Sequence, residues 1–173
     1  MTTSAPHPRS YSATKETPVL PREYLAFRLG AEQYGIDILR VQEIRSYEPP
    51  TRLAHAPDFI TGVIDLRGRI VPIADLRIKL QCAEVAYNEC TVVIILDMGI
   101  STVVGAVVDS VADVVSLAAE QIKPSPQFAT QGRLDPSFVQ GIAHMDDRML
   151  ILMDITALLN NDGIDWAETA APA

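Results

Sequence analysis

This sequence has little of what catalysis, metal binding or membrane insertion usually requires. Only two cysteines and three histidines occur in 173 residues. Cys82 and Cys90 form no C-x-x-C pair and have no histidine near them, which argues against a zinc site or a dithiol redox motif. Their even number permits a disulfide, but two reduced thiols in a cytosolic protein are the expectation. His7, His55 and His144 are scattered and read as loop or surface imidazoles. Long apolar runs are missing too. Val92–Leu96 and Met149–Met153 fall far short of the roughly 20 residues that span a bilayer. The first twenty residues lack the apolar core of a signal peptide. Basic residues number 14 against 22 acidic ones, a net charge of −8. A chain of that sign is repelled by nucleic acid and by anionic lipid, so neither nucleic-acid binding nor direct membrane insertion is expected. A neutral or apolar protein surface is the partner such a charge permits.

Motifs for chemistry fail one by one. Gly99-x-Ser101 has Val103 where a nucleophile elbow needs glycine. Asp109-Ser110-Val111 lacks the glycine of an aspartic-protease loop. Neither a phosphate-binding G-x-x-x-x-G-K loop nor a G-x-G-x-x-G fingerprint is present. Asp146-Asp147 falls in a hairpin turn, where aspartate is common for backbone reasons. No enzyme activity and no cofactor are expected.

What the sequence does have is apolar residues, 48% of the chain, laid out mostly at strand period. Residues 1–21, with seven Ser or Thr and four prolines, read as a disordered tail. The body runs from residue 22 to 160, and residues 161–173 read as a fraying C-terminal tail in which Trp166 either tacks down or stays exposed. Glu23–Leu29 and Tyr34–Ile38 alternate around a turn at Gly30–Gln33, which predicts a β-hairpin. Thr91–Leu96 and Thr102–Val108 predict a second one. Ile64–Val71 and Ala143–Leu150 each read as strand, polar turn, strand. Asp75 and Asp154 are placed to N-cap short helices over Leu76–Leu80 and Ile155–Leu159.

An internal repeat organises these elements. Pro57, Phe59, Gly62, Arg69, Asp75 and Leu80 meet Pro136, Phe138, Gly141, Arg148, Asp154 and Leu159 at a constant offset of 79. Upstream, Gly35, Val41, Glu43 and Ile44 meet Gly105, Val111, Asp113 and Val114 at an offset of 70. The repeats span about 23–80 and 91–159. Units this small fold only marginally alone, and closing each into a barrel beside the other removes free edges and shares apolar area. The expected class is therefore all-β: two pseudo-symmetric SH3-like β-barrels sharing a hydrophobic core, with a few short helical turns.

A duplicated fold provides its own control, because features common to both halves serve the fold. Arg67-Gly68 has Asp146-Asp147 as its counterpart, so the fold does not require arginine at that hairpin. Arg67 is either a solvated turn residue or a guanidinium fork aimed at a partner's acid or at Glu43. Ile36, Ile38, Val41 and Ile44, read as one strand, carry more apolar surface than one face of a small barrel hides. Either all four are core or some form an exposed patch that marks a partner site.

Three blocks of the sequence carry a family likeness. Tyr34 to Arg45, Ile60 to Arg77, and Asp147 to Leu159 resemble the signature segments of CheW-type chemotaxis coupling proteins, with Asp65 standing where the family usually has Asn. The resemblance covers roughly Glu23 to Asn160. It implies two intertwined SH3-like barrels in a cytoplasmic adaptor at receptor arrays on the inner face of the membrane. The implied partners are the cytoplasmic tips of methyl-accepting chemoreceptors and the regulatory domain of the chemotaxis histidine kinase. By similarity, Glu43 and Arg67 stand near the partner-facing surfaces, with Val41 and Ile44 as apolar contacts. Gly62, Gly68, Val92, Gly105 and Val111 complete the candidate binding positions. An adaptor of the same fold in another receptor pathway and a fragment of a larger kinase are the neighbouring readings. A small-molecule binder would need convergent polar groups in a pocket.

Overall fold

Side-chain alternation divides the apolar residues of the long strands between two interiors. In the computed structural model, which describes residues 20–124, 135–164 and 166, β1 (Arg22–Leu29) sends Tyr24 and Ala26 into one cluster and Leu25, Phe27 and Leu29 into another. Then follow β2 (Glu32–Asp37), a 3-10 turn at Ile38–Arg40, β3 (Val41–Ser46), β4 (Ile60–Leu66), β5 (Arg69–Asp75) and the short helix α1 (Leu76–Lys79). The second half runs β6 (Val92–Gly99), β7 (Thr102–Val108), β8 (Ser110–Leu117), the two-residue β9 (Ile122–Lys123), β10 (Val139–Met145), β11 (Arg148–Met153) and α2 (Ile155–Asn160). Apart from β9 and the placement of the 3-10 turns, the two halves repeat the same succession of strands and helix. Asp75 and Asp154 cap the two helices, accepting from the Arg77 and Ala157 amides at 3.0 and 3.1 Å. Residues 1–19 of the segment read as a disordered tail lie outside the described residues, as do 125–134 of the long second connection.

The halves do not build one barrel each. One sheet has the order β8-β1-β2-β11-β10-β9 and the other β3-β6-β7-β5-β4, so each takes strands from both halves. The two SH3-like barrels expected are present, intertwined as the family likeness implies: closure of each repeat on itself gives way to an exchange of strands. The exchange begins at Asp37, whose carboxylate accepts from the Leu39 amide at 3.0 Å and turns the chain through the 3-10 corner. Ile36 to Ile44 is therefore not one strand: β2 ends before the corner and β3 joins the other sheet. The edge that β2 leaves open is filled by β11 in parallel, with Leu152 opposite Gly35. At the related place β5 fills the edge of β7, with Ile73 opposite Gly105. Bulges in β3, β4 and β10 bend the strands as closure of a small SH3-like barrel requires.

Among the described residues, three apolar clusters result. Seven buried residues fill each barrel, around Leu150 in one and Ile95 in the other. The space between the barrels holds 21, drawn from both sheets and both helices, so the shared core outweighs either barrel interior. Trp166 belongs to it, buried and donating to the Asn160 side chain at 3.2 Å, so this part of the expected fraying tail is tacked down. At the parallel pairings there is no room for a side chain. A Cβ on Gly35 would stand 2.8 Å from Leu152 Cδ2, and one on Gly105 would stand 2.6 Å from Ile73 Cδ1 and 2.8 Å from Val93 Cγ1.

A buried ion network secures the connection between the halves. Arg77 is fully buried, and a guanidinium in that state is tolerated only when its donors are matched. Its Nε and Nη2 donate to the two oxygens of buried Asp75 at 3.0 and 2.9 Å. Its Nη1 donates to the Ala86 carbonyl and, at 3.1 Å, to Asp109 Oδ1. Burial works against the charge, but the two carboxylates outweigh it and hold the guanidinium protonated above its ordinary range. The Tyr87 ring lies 4.8 Å below the guanidinium and stacks on Tyr47 at 4.5 Å. Its hydroxyl donates to Asp75 Oδ2 at 3.0 Å. Burial first, and then the Asp75 charge, push this phenol up to about 12.

Three outcomes are expected. Gly105→Val overpacks the parallel junction and lowers unfolding free energy by about 1–3 kcal/mol in urea titration. Arg77→Met strands the buried Asp75 charge and costs about 3–5 kcal/mol, whereas Arg148→Met, which loses a surface pair with Asp113, costs about 1 kcal/mol or less. Equal losses for the two would contradict the burial argument. Because the folded protein holds the Tyr87 proton more tightly than the unfolded chain, the contribution of that hydroxyl is intact below about pH 10. It is lost as pH rises toward 12, and denaturation midpoints of Tyr87→Phe lack that component of the decline.

Candidate docking surface

β3 is an edge strand of its sheet, so one side of its backbone pairs with β6 and the other is open. Its residues alternate half-buried and exposed. Glu43 is held there between two arginines. Arg45 Nη1 lies 3.5 Å from one of its oxygens, and Arg67 Nη2 contacts the other. Arg67 reaches it from the β4–β5 hairpin, where Arg67 and Gly68 have φ of 51° and 84°, the left-handed pair that a tight two-residue hairpin requires. Asp65 secures that turn by accepting from the Gly68 amide at 2.7 Å, so the unusual residue at 65 still serves as the turn acceptor. Asp146, at the equivalent turn of the second half, has φ of 43°.

The Arg67 side chain is 73% exposed. A pair so open to water contributes little to stability, on the order of 0–1 kcal/mol. Its consequence is geometric, because it fixes the direction of a guanidinium and a carboxylate on an accessible edge. Apolar surface lies close by in sequence: Ile44 is 43% exposed and Leu39, in the corner, 84%. The Arg69 guanidinium donates to the Ser101 carbonyl and so joins this hairpin to the β6–β7 turn, where Ile100 is exposed.

The other candidate positions separate by burial. Val41, Val92 and Val111 are half-buried and pack on the shared core, leaving only an edge for a partner. Gly105 is buried at the β5–β7 junction, where close packing leaves no space for a Cβ. Gly62 is buried as well. A Cβ there would stand 2.2 Å from the Thr51 carbonyl oxygen, because Thr51 bridges to Val63 along the outer side of β4. Gly62 thus lets Thr51 approach β4 closely. Gly68 remains exposed at the hairpin tip beside Arg67.

A second strip lies in the Val111–Val115 segment, whose apolar run in the sequence raises the same question of core or exposed patch as Ile36 to Ile44. β8 is the edge of the other sheet, with Val114 51% exposed and Asp113 accepting from Arg148 Nη2 at 2.8 Å. Glu43 and Asp113 are repeat-related, as are Ile44 and Val114, so the repeat held the signal. The arginine differs, coming from the turn in one half and from β11 in the other.

A shallow cleft of about 440 Å3 lies beside β4, lined by Tyr47, Pro49, Leu53, Ile60, Ile78 and Tyr87 among others. Its charged members are Arg52 and Asp58, and no nucleophile–base pair lines it. Among the described residues no group of three His, Cys, Asp or Glu is placed to hold a metal ion, and no helix is long and apolar enough to cross a membrane.

Known proteins share this arrangement. A family model described as the CheW-like domain matches residues 23–163. The chemotaxis protein CheW of Klebsiella aerogenes is 52% identical over 150 residues, covering 87% of this chain and 89% of its own. The probable chemotaxis protein CheW of Rhizobium etli is 35% identical over 139 residues, with coverage of 80% and 88%. Among solved structures, the scaffolding protein TtCheW from Thermoanaerobacter tengcongensis matches with a TM-score of 0.74 at 28% identity, covering 94% of this chain and 99% of its own. With a family model spanning almost the whole described body and a relative identical at half the aligned positions, this chain belongs to the CheW-like family of chemotaxis scaffold proteins.

Proposed function

We propose that the chain is a non-catalytic adaptor that couples transmembrane chemoreceptors to the chemotaxis histidine kinase. It holds the receptors' cytoplasmic tips and the kinase's regulatory domain together in arrays at the inner face of the membrane. The observation that carries this reading is the Glu43–Arg67 pair on the open β3 edge, a charged fork flanked by exposed Ile44. An oriented guanidinium beside apolar surface is the combination that anchors protein interfaces. Membership in the family supports the same role.

The adaptor works by geometry. Two interfaces of about 1,000–1,600 Å2 each hold receptor and kinase in a fixed relation through a body whose barrels share one core. A receptor displacement is then felt at the kinase as a shift between conformations already in equilibrium. Exposed β3 and β8 strips, repeat-related but unlike in side chain, supply two docking edges that different partners can tell apart.

Arg67→Asp tests the assignment. Aspartate already occupies the equivalent left-handed turn position at 146, so melting by circular dichroism is expected to stay close to that of the unsubstituted protein. Capture of the kinase regulatory domain or of a receptor signalling fragment is expected to weaken at least about tenfold, roughly 1.4 kcal/mol. A lowered melting temperature with unchanged binding per folded molecule would assign Arg67 to the fold and remove the site.

A further inference from the structure

Each barrel already takes its strands from two separate stretches of chain, one on either side of residues 80–91. Every contact between the halves would be identical if the two stretches belonged to different molecules. Only the connection makes the exchange intramolecular. It has no regular structure and is exposed from Ala83 to Cys90. Extended, its dozen residues reach roughly 40 Å at about 3.3–3.6 Å each, enough to carry the second half to a neighbour.

We infer that Arg77 and Tyr87 form a latch that keeps strand exchange within one chain, and that releasing or shortening the connection yields a strand-exchanged dimer with a second copy of this chain. The latch grips the connection at two successive residues: Arg77 Nη1 holds the Ala86 carbonyl, and the Tyr87 hydroxyl is held by Asp75 beneath the guanidinium. A turn beyond it is fastened as well, with the Asn88 amide donating to Thr91 Oγ1 at 2.9 Å and the Tyr47 amide to the Thr91 carbonyl at 3.1 Å. The same guanidinium holds Asp109 Oδ1, while Asp109 Oδ2 accepts from the Gly30 amide at 2.7 Å. Connection, first barrel and second barrel thus meet at one buried cation.

Two features mark this as a device for arrangement. It occurs in one half only: Thr156 stands at the repeat position of Arg77, and only one half is followed by a connection that must be directed. A buried ion network is also a poor way to gain stability compared with apolar packing, and its best-attested use is to specify one arrangement over another. The second copy is the occupant because it alone presents every complementary edge, and two copies exchanging halves close with two-fold symmetry and leave no strand unpaired.

Two variants test it. Deleting residues 82–90, so that Gln81 joins Thr91, leaves a single link of about 3.8 Å between their Cα atoms, and this chain is expected to elute at twice the single-chain mass. Tyr87→Ala in the full-length chain, refolded at high concentration, is expected to form at least about ten times more dimer than the unsubstituted protein. A protease site inserted between Glu84 and Val85 of that variant identifies the dimer. Cutting a strand-exchanged dimer releases particles of single-chain mass that contain both halves, whereas a surface-paired dimer keeps its double mass. A folded monomer from the deletion overturns the inference, and should the deletion not fold, so does a Tyr87→Ala chain that stays monomeric or a dimer whose mass survives cutting.

Discussion

Neither half of this chain can complete its own sheet. The 3-10 corner after β2 sends β3 to the opposite barrel, so β2 is left with an open edge, and β7 is left with one at the related place. An unpaired edge in the interior is costly because its amides and carbonyls have no water to bond. β11 and β5, arriving in parallel from the other half, are the strands that fill these gaps. Gly35 and Gly105 are fixed by that event, since Leu152 and Ile73 occupy the space where their side chains would be. The shared core follows from it as well, because exchanged strands draw the two barrels into contact along their length.

The same constraint decides which strand edges stay open to the proposed partners. Once the inner edges are filled, β3 and β8 remain at the outer margins of their sheets. Open edges invite unwanted strand pairing, and charge is a common guard against it. Glu43 with Arg45 and Arg67, and Asp113 with Arg148, put ion pairs at both places. A guard of this kind also carries information. Its charges are directed by a rigid hairpin, and exposed Ile44 and Val114 supply apolar contact beside them.

Two of the differences between the halves involve arginines. Arg67 faces Asp146 across the repeat and Arg77 faces Thr156. The first difference lies on the surface, where the fold tolerates either residue and the proposed docking edge gains a guanidinium. The second lies in the interior, where the cost of a buried cation demands a full set of acceptors, and one of these comes from the connection itself.

Much of this was legible in the sequence. Strand period identified the hairpins, Asp75 and Asp154 announced the helices, and the repeat offsets aligned one half on the other. The difference between Arg67 and Asp146 pointed to the hairpin that meets Glu43. These are local properties, written in side-chain alternation, turn chemistry and capping. Which strand lies beside which was not written there. Gln33 pairs in parallel with Leu150 from the far end of the chain, and alternation reads the same whichever neighbour a strand takes. The burial of Gly105, the acceptors around Arg77 and the seat of Trp166 all depend on that choice of neighbour. They were decided only when the two halves closed on each other, because burial and hydrogen-bond satisfaction are properties of the assembled core and not of any segment within it.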